Sequence, residues 1–163
     1  MELKIKIGVY TFELKNFKEV YGHDDSLPFT AILYVNGKRI ATCSNDGWGG
    51  EAFVQPLNGC RERLERIENE VKDEKYDGFD ARLPFLIDCL ACKMADYKSA
   101  MKETRKNLVF YVEKDCKYVC IPILIGGKPK PIKETYSTKS GREFIEKTIV
   151  KYENKGYECI NAL

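Results

Sequence analysis

The chain has 163 residues, of which 44% are hydrophobic and 32% charged, so it is long and apolar enough for a packed core and is not a disordered chain. Its 27 basic and 25 acidic side chains leave a net charge of +2, which excludes the basic excess typical of nonspecific nucleic-acid binding. No apolar run approaches the roughly 20 residues that cross a bilayer, and the N-terminus does not resemble a signal peptide. We therefore expect a cytoplasmic protein with no membrane partner and no specific nucleic-acid partner.

Hydrophobic periodicity predicts a strand and then a hairpin near the N-terminus. Residues 2–14 alternate apolar and polar side chains, the pattern of one half-buried strand. Residues 29–44 flank Asn36-Gly37, a strong hairpin signal, because a type I′ turn needs positive φ at both central residues. The predicted pairs across this hairpin are Val35 with Lys38, Leu33 with Ile40, and Ala31 with Thr42.

Three later segments have helical periodicity. We predict that Asn58 caps a helix that continues to about residue 74. Pro84 suits the first turn of a longer helix over residues 83–106. Ser140-Gly-Arg-Glu143 has the pattern of a capping box, and Gly156 marks the end of the helix that it begins.

A second hairpin and a last strand complete the predicted elements. The hairpin covers about 108–125 and turns near residues 114–115, and its apolar outgoing strand from Val119 is typical of the centre of a sheet. A short strand is predicted near 157–160. The short connections favour an α+β fold, with one antiparallel sheet from the two hairpins and the N-terminal strand, and three helices packed on it. With no linker and no repeat, we predict a single α+β domain over residues 1–163.

The glycine loop, residues 45–50, reads Asn-Asp-Gly-Trp-Gly-Gly and follows the first hairpin. Three glycines in four positions permit a backbone whose amides converge on an anion, and Trp48 offers a flat face to a base or ribose. The alternative is an ordinary wide turn, since these residue types are common in loops. The predicted ligand-binding residues are Asn45, Asp46, Gly47, Trp48, Gly49 and Gly50, with Lys128 and Lys130 from a later basic loop.

The seven cysteines are interpreted as reduced thiols, because their number is odd and several lie in apolar periodic segments. Cys89 and Cys92 form a CxxC inside a predicted helix, where such residues usually pack as small apolar groups. Cys116 and Cys120 lie on a predicted strand, where a four-residue step of about 13 Å is too long for one tetrahedral zinc ion. We therefore expect no metal site.

His23 is the only histidine and lies beside Asp24 and Asp25. The three could form a metal or acid–base cluster, but a single histidine excludes paired-histidine zinc motifs, and a loop histidine is the alternative. The chain contains no complete catalytic signature and no nucleotide-binding fingerprint. We expect a protein without enzyme activity and without a cofactor; a small enzyme acting on a nucleotide or peptide remains the alternative.

The hairpin that runs into the glycine loop, over residues 33–50, resembles small uncharacterised proteins of bacteriophages and prophages. In those proteins an Asn-Asp-Gly-x-Gly-Gly turn follows a strand. Residues 107–111 and 143–152 are similar to their closing hairpin and helix. The resemblance transfers no catalytic residue.

The resemblance implies an accessory protein that acts in the cytoplasm of a host cell. One such class sequesters a small anionic, nucleotide-derived ligand and so counters a host defence. The alternative is a protein-binding inhibitor of a host enzyme or defence factor. The implied partner is thus a small anionic ligand or a host protein, and the chain could also form a homo-oligomer.

Overall fold

The computed structural model describes residues 3–20 and 26–163. The fold is α+β, as predicted, and contains a five-stranded antiparallel sheet. The chain divides into two compact units, of which the first extends to Ala95 and the second is Asp96–Leu163. The expectation of one domain over residues 1–163 stays a prediction. Within the described residues, no helix combines the length and the apolar character needed to cross a membrane.

The first unit is built on the five-stranded sheet, whose strands follow one another in chain order. The alternating side chains of the third strand bury one face and expose the other, because successive side chains of a strand point in opposite directions. Because the strands pair in chain order, the first and the fifth strand form the edges of the sheet. The five strands are β1 (Lys4–Ile7), β2 (Tyr10–Glu19), β3 (Phe29–Val35), β4 (Lys38–Asn45) and β5 (Phe53–Pro56).

The N-terminal segment is a hairpin, so the prediction of a single strand over residues 2–14 is wrong. Gly8 has a φ of 54°, and the chain turns there so that β1 pairs with β2, with Ile5 opposite Phe12. The turn contains only two residues. The buried positions change from odd (Ile5, Ile7) to even (Phe12, Leu14) across it, and this change of phase is the trace of the turn in the sequence.

The predicted type I′ turn between β3 and β4 is confirmed, since Asn36 has a φ of 50° and Gly37 a φ of 75°. The Asn36 side chain also connects this turn to the N-terminal hairpin. Its Oδ1 accepts a hydrogen bond from the backbone N of Thr11 at 2.7 Å, and its Nδ2 donates to the carbonyl of Val9 at 3.1 Å.

The register of this hairpin differs from the prediction beyond the first pair. A bulge between Leu33 and Tyr34 shifts β4, so that Leu33 lies opposite Ala41 rather than Ile40, and Ala31 opposite Cys43 rather than Thr42. Both Ile40 and Ala41 are fully buried. The bulge lets two consecutive side chains face the core, which a regular strand does not allow.

Two helices contribute to the core of the first unit. They are α1 (Arg61–Val71) and the N-terminal part of α2 (Leu83–Glu103). The helical spacing of Cys60, Leu64, Ile67 and Val71 predicts one apolar stripe. The last three residues are buried on α1, whereas Cys60 precedes the helix and is only partly buried. The predicted cap at Asn58 is wrong, because Cys60 occupies the N-cap position and the backbone N of Cys60 bonds to the carbonyl of Leu57 in a preceding turn. A ribbon of β6 (Lys75–Tyr76) and β7 (Phe79–Asp80) connects the helices.

The second unit has its own three-stranded sheet, in the order β12, β8, β9. The second hairpin thus forms a separate sheet with the predicted last strand, and β8, not β9, is central. Pro122 ends β9, and a proline cannot donate to a further strand. The strands are β8 (Asn107–Val112), β9 (Lys117–Pro122) and β12 (Tyr157–Cys159), with a separate ribbon of β10 (Leu124–Ile125) and β11 (Lys128–Pro129).

Two further helices, α3 (Ile132–Tyr136) and α4 (Lys139–Glu153), belong to the second unit. The predicted capping box at Ser140 is wrong, because Thr138 is the N-cap and its hydroxyl accepts from the backbone N of Gly141 at 3.1 Å. The short α3 was not predicted. The buried core of this unit consists of Leu108, Phe110, Ile123, Ile132 and Ile145.

Candidate functional site

The glycine loop connects the end of β4 to β5 in the first unit. Gly47 and Gly49 have φ values of 85° and 81°, in the left-handed region that favours glycine. The predicted need for glycine is therefore confirmed at these two positions. Gly50 has no positive φ, and an added Cβ there would meet no atom within 4 Å.

Asn45 is the centre of the loop's hydrogen bonds and is only 6% exposed. Its Oδ1 accepts from the backbone N of Gly47 and from the Ser26 hydroxyl, both at 2.9 Å. Its Nδ2 donates to the carbonyl of Gly50 at 2.9 Å and to Oδ1 of Asp88 at 3.3 Å. The side chain makes four hydrogen bonds, the full complement of an amide group, so it fixes both ends of the loop.

Three consecutive amides of the loop are bound by the protein's own side chains. Gly47 N donates to Asn45, as above, and Trp48 N donates to Oδ1 of Asp46 at 3.1 Å. Gly49 N donates to the Ser26 hydroxyl at 3.3 Å. An anion could bind these amides only by displacing three side-chain oxygens. The structure thus brings the six predicted loop residues together, but their amides already have acceptors.

Asp88 of α2 anchors the exit of the loop. Its Oδ2 accepts from the backbone N of Ala52 at 3.0 Å, while its Oδ1 accepts from Asn45. Burial raises the pKa of the Asp88 carboxyl, and these two hydrogen bonds partly offset the shift. Sequence analysis missed this residue. The available signal was a single carboxylate inside the apolar helical run from Leu86 to Leu90.

A surface ion pair adds a second connection. Arg82 contacts Glu51 through both of its terminal nitrogens, one of them 3.1 Å from Oε2. The pair is exposed, so its contribution to stability is small, but it neutralises the charge of Arg82 beside the loop.

Two large aromatic side chains are exposed at this end of the sheet. Trp48 is 64% exposed and Phe53, the first residue of β5, is 68% exposed. Phe53 lies opposite Ser44, on the sheet face away from the buried residues of β3. We call Trp48 and Phe53 the aromatic pair. Exposed large aromatic residues beside a fixed loop are typical of binding surfaces.

The two predicted lysines lie in the second unit. Lys128 is the first residue of β11, and Lys130 forms an ion pair with Glu134 at 2.9 Å. The backbone N of Lys130 also bonds to the carbonyl of Ile123 at 2.9 Å. Their contribution to a ligand site with the glycine loop stays a prediction.

All seven cysteines lie in the described part of the chain, and no disulfide joins any of them. Cys89 and Cys92 lie inside α2, as predicted. Cys116 occupies a left-handed turn position with a φ of 49°. Burial raises the pKa of the Cys43 thiol to about 12, and a thiol that stays protonated is a poor nucleophile.

The predicted cluster of His23, Asp24 and Asp25 lies outside the described residues. Among residues 3–20 and 26–163, no group of three or more His, Cys, Asp or Glu side chains is arranged to hold a metal ion.

Comparison of the chain with models of protein families, with curated proteins and with solved structures finds no match.

Proposed function

We propose that the protein acts without catalysis, by binding a protein partner through the glycine loop and the aromatic pair. The partner is a host enzyme or defence factor, as the phage-type resemblance implies, and the encounter takes place in the host cytoplasm. One observation carries the proposal: Trp48 is 64% exposed on a loop whose backbone is held by hydrogen bonds to Asn45, Asp46 and Ser26.

The fixed loop favours tight binding because little conformational freedom is lost when the partner docks. Ordering a mobile loop or side chain costs free energy that reduces affinity. Here Asn45 and Asp88 hold the backbone on both sides of Trp48 before any partner arrives. Tryptophan is also among the residues that contribute most to protein interfaces.

The charges around the aromatic pair indicate the chemistry of the partner. Asp46 is exposed and lies two residues from Trp48, whereas the charge of Arg82 is neutralised by Glu51. The surface thus presents two exposed aromatic rings and an exposed carboxylate. Its complement is an apolar pocket that accepts an indole ring and has a lysine or arginine at its rim.

Sequestration of a nucleotide-derived anion by the glycine loop has less support. Trp48 could still stack on a base. The backbone donors that would hold a phosphate are, however, bound by Asn45, Asp46 and Ser26.

The test compares capture of bacterial proteins by the immobilised wild type, Trp48→Ala and Phe53→Ala, with quantification by mass spectrometry. Phe144→Ala is the matched control, because Phe144 is 51% exposed and lies on α4 of the second unit. We expect a captured partner to bind Trp48→Ala about 30-fold more weakly by calorimetry, the effect of losing about 2 kcal/mol at a binding hot spot. The control should bind like the wild type.

Two results would contradict the proposal. One is a partner whose affinity is the same for Trp48→Ala, Phe53→Ala and the wild type. The other is capture of no protein together with tight binding of a nucleotide that is lost in Trp48→Ala. Nucleotide binding is measured by calorimetry with cyclic and linear nucleotides. That second result would favour the sequestering function.

A further inference from the structure

A cleft in the second unit has the size and composition of a small-molecule site. Its volume is about 600 Å³, within the range of roughly 300–1,000 Å³ that ligand pockets occupy. It lies between the C-terminal end of α2, the helix α3 and residues 161–163. Apolar side chains form much of its wall, namely Met101, Ile132, Ala162 and Leu163.

Two cationic side chains line the same cleft, and no Asp or Glu side chain does. Arg105 lies in the turn after α2, and Lys133 lies in α3; both are exposed. Neither forms an ion pair with any residue that the structure describes, whereas nearby Lys130 is paired with Glu134. The cleft is therefore apolar in much of its wall, and its charged side chains are cationic.

Two polar side chains in the wall of the cleft, Asn161 and Thr104, already have hydrogen-bond partners, and the Tyr136 side chain is a further polar group of the lining. The Nδ2 of Asn161 donates to the carbonyls of Thr104 and Asn107 at 3.1 and 3.0 Å, and its Oδ1 accepts from the backbone N of Val109 at 2.7 Å. The Thr104 hydroxyl donates to the carbonyl of Met101 at 2.8 Å. The wall is thus held in place by its own hydrogen bonds, and recognition of a charged ligand depends on Arg105 and Lys133.

We propose that this cleft binds a small amphipathic anion: a carboxylic acid with an apolar acyl or aryl body. The guanidinium of Arg105 presents two parallel donors that match the two oxygens of a carboxylate, and Lys133 adds a second positive charge. The apolar body of the ligand covers Met101 and Leu163, the second of which is 48% exposed, and removes their surface from water. The site lies in the second unit and is independent of the protein-binding function proposed for the glycine loop.

The test is calorimetric titration of the full chain with decanoate and, as a neutral ligand of the same length, decanol. We expect saturable binding of decanoate that weakens about tenfold or more when Arg105→Gln and Lys133→Gln are combined, because charge-assisted hydrogen bonds to the carboxylate are lost. Lys106→Gln is the matched control, since Lys106 is the exposed cation next to Arg105 but does not line the cleft. Decanol should bind the wild type and the double variant equally.

Both substituted side chains are exposed, so the double variant should fold, and circular dichroism checks this. The proposal is overturned if decanoate shows no saturable binding to the wild type. It is also overturned if the double variant binds decanoate as tightly as the wild type, or if Lys106→Gln weakens binding by the same factor.

Discussion

At the scale of single residues, Gly141 is the position where the absence of a side chain is most clearly required. It lies in the first turn of α4 and is buried. A Cβ there would overlap the carbonyl oxygen of Thr135 and come within 2.7 Å of the Thr138 hydroxyl. Since Thr135 belongs to α3, relief of this overlap requires the corner between α3 and α4 to move. Gly141 has no positive φ, so glycine is required here because there is no space for a side chain and not because of the backbone conformation.

We therefore expect Gly141→Ala to reduce the free energy of unfolding by about 3 kcal/mol, the upper part of the range for overpacking a core. Ser140→Ala, at the exposed neighbouring position, should change it by no more than about 0.5 kcal/mol. Urea denaturation followed by circular dichroism gives both values, and hydrogen exchange localises the loss to α3 and α4. Equal stability of the two variants would mean that the corner has room for a methyl group.

At the scale of elements, the glycine loop depends on a buried carboxylate from a helix. Burial raises the pKa of Asp88 above the ordinary carboxyl value of about 3.9. The folded protein then binds this proton more tightly than the unfolded chain does. The contribution of Asp88 to stability is therefore fully present below that ordinary pKa and is lost as the pH rises through the raised one.

We expect the unfolding free energy of the wild type, taken relative to Asp88→Asn, to fall as the pH is raised from 4 and then to level off. Asparagine cannot titrate, so the unfolding free energy of Asp88→Asn lacks this pH dependence. Its altered hydrogen bonds to Asn45 and Ala52 add a difference in unfolding free energy that does not change with pH. Trp48 is the only tryptophan and lies on the loop itself, so its fluorescence can follow unfolding in urea. The raised pKa would be contradicted if the wild type became more stable relative to Asp88→Asn as the pH rises.

The sequence predicted elements well where one local rule was sufficient. Asn36-Gly37 fixes a type I′ turn by itself, and the stripe on α1 follows from helical spacing alone. The register beyond that turn was not predictable, because the bulge at Leu33 reflects how Ile40 and Ala41 both fit the core. Such a choice depends on packing between distant segments.

In the candidate site, too, features set by neighbouring residues were predictable and contacts with distant residues were not. The positive φ values of Gly47 and Gly49 follow from local sequence. The distant residues that hold the loop do not, because Ser26 lies 19 positions before Asn45 and Asp88 lies 43 positions after it. The sequence alone could therefore indicate the shape of the loop and the local acceptors of the Gly47 and Trp48 amides, but not the contacts of Ser26 and Asp88.

At the scale of the whole molecule, the seven thiols differ widely in access. Cys43 is 3% exposed in the core of the first unit, and burial raises its pKa to about 12. Cys116 is exposed in the turn before β9. Alkylation requires both contact with the reagent and a thiolate, so the two residues should react at very different rates.

With iodoacetamide at pH 8 and no denaturant, we expect Cys116 to be modified at least about 100-fold faster than Cys43, as measured by peptide mass spectrometry. Modification of Cys43 then requires opening of the core, and its rate should rise steeply as urea unfolds the first unit. Labelling after complete unfolding is the internal control, since the two rates should then converge. Comparable rates in the folded protein would place Cys43 outside a closed core.

The edges of the two sheets have a consequence for association between molecules. The unpaired N–H and C=O groups of an exposed edge strand can pair with a strand of another chain, which is how many proteins begin to aggregate. Here β1 displays the exposed Lys4 and Lys6, while β5 ends at Pro56 and β9 at Pro122. Lysine charges repel an approaching copy, and proline offers no N–H to a new strand. These three of the four edges discourage growth into fibrils, so the chain can keep aromatic rings such as Trp48 and Phe53 exposed with a smaller risk of aggregation.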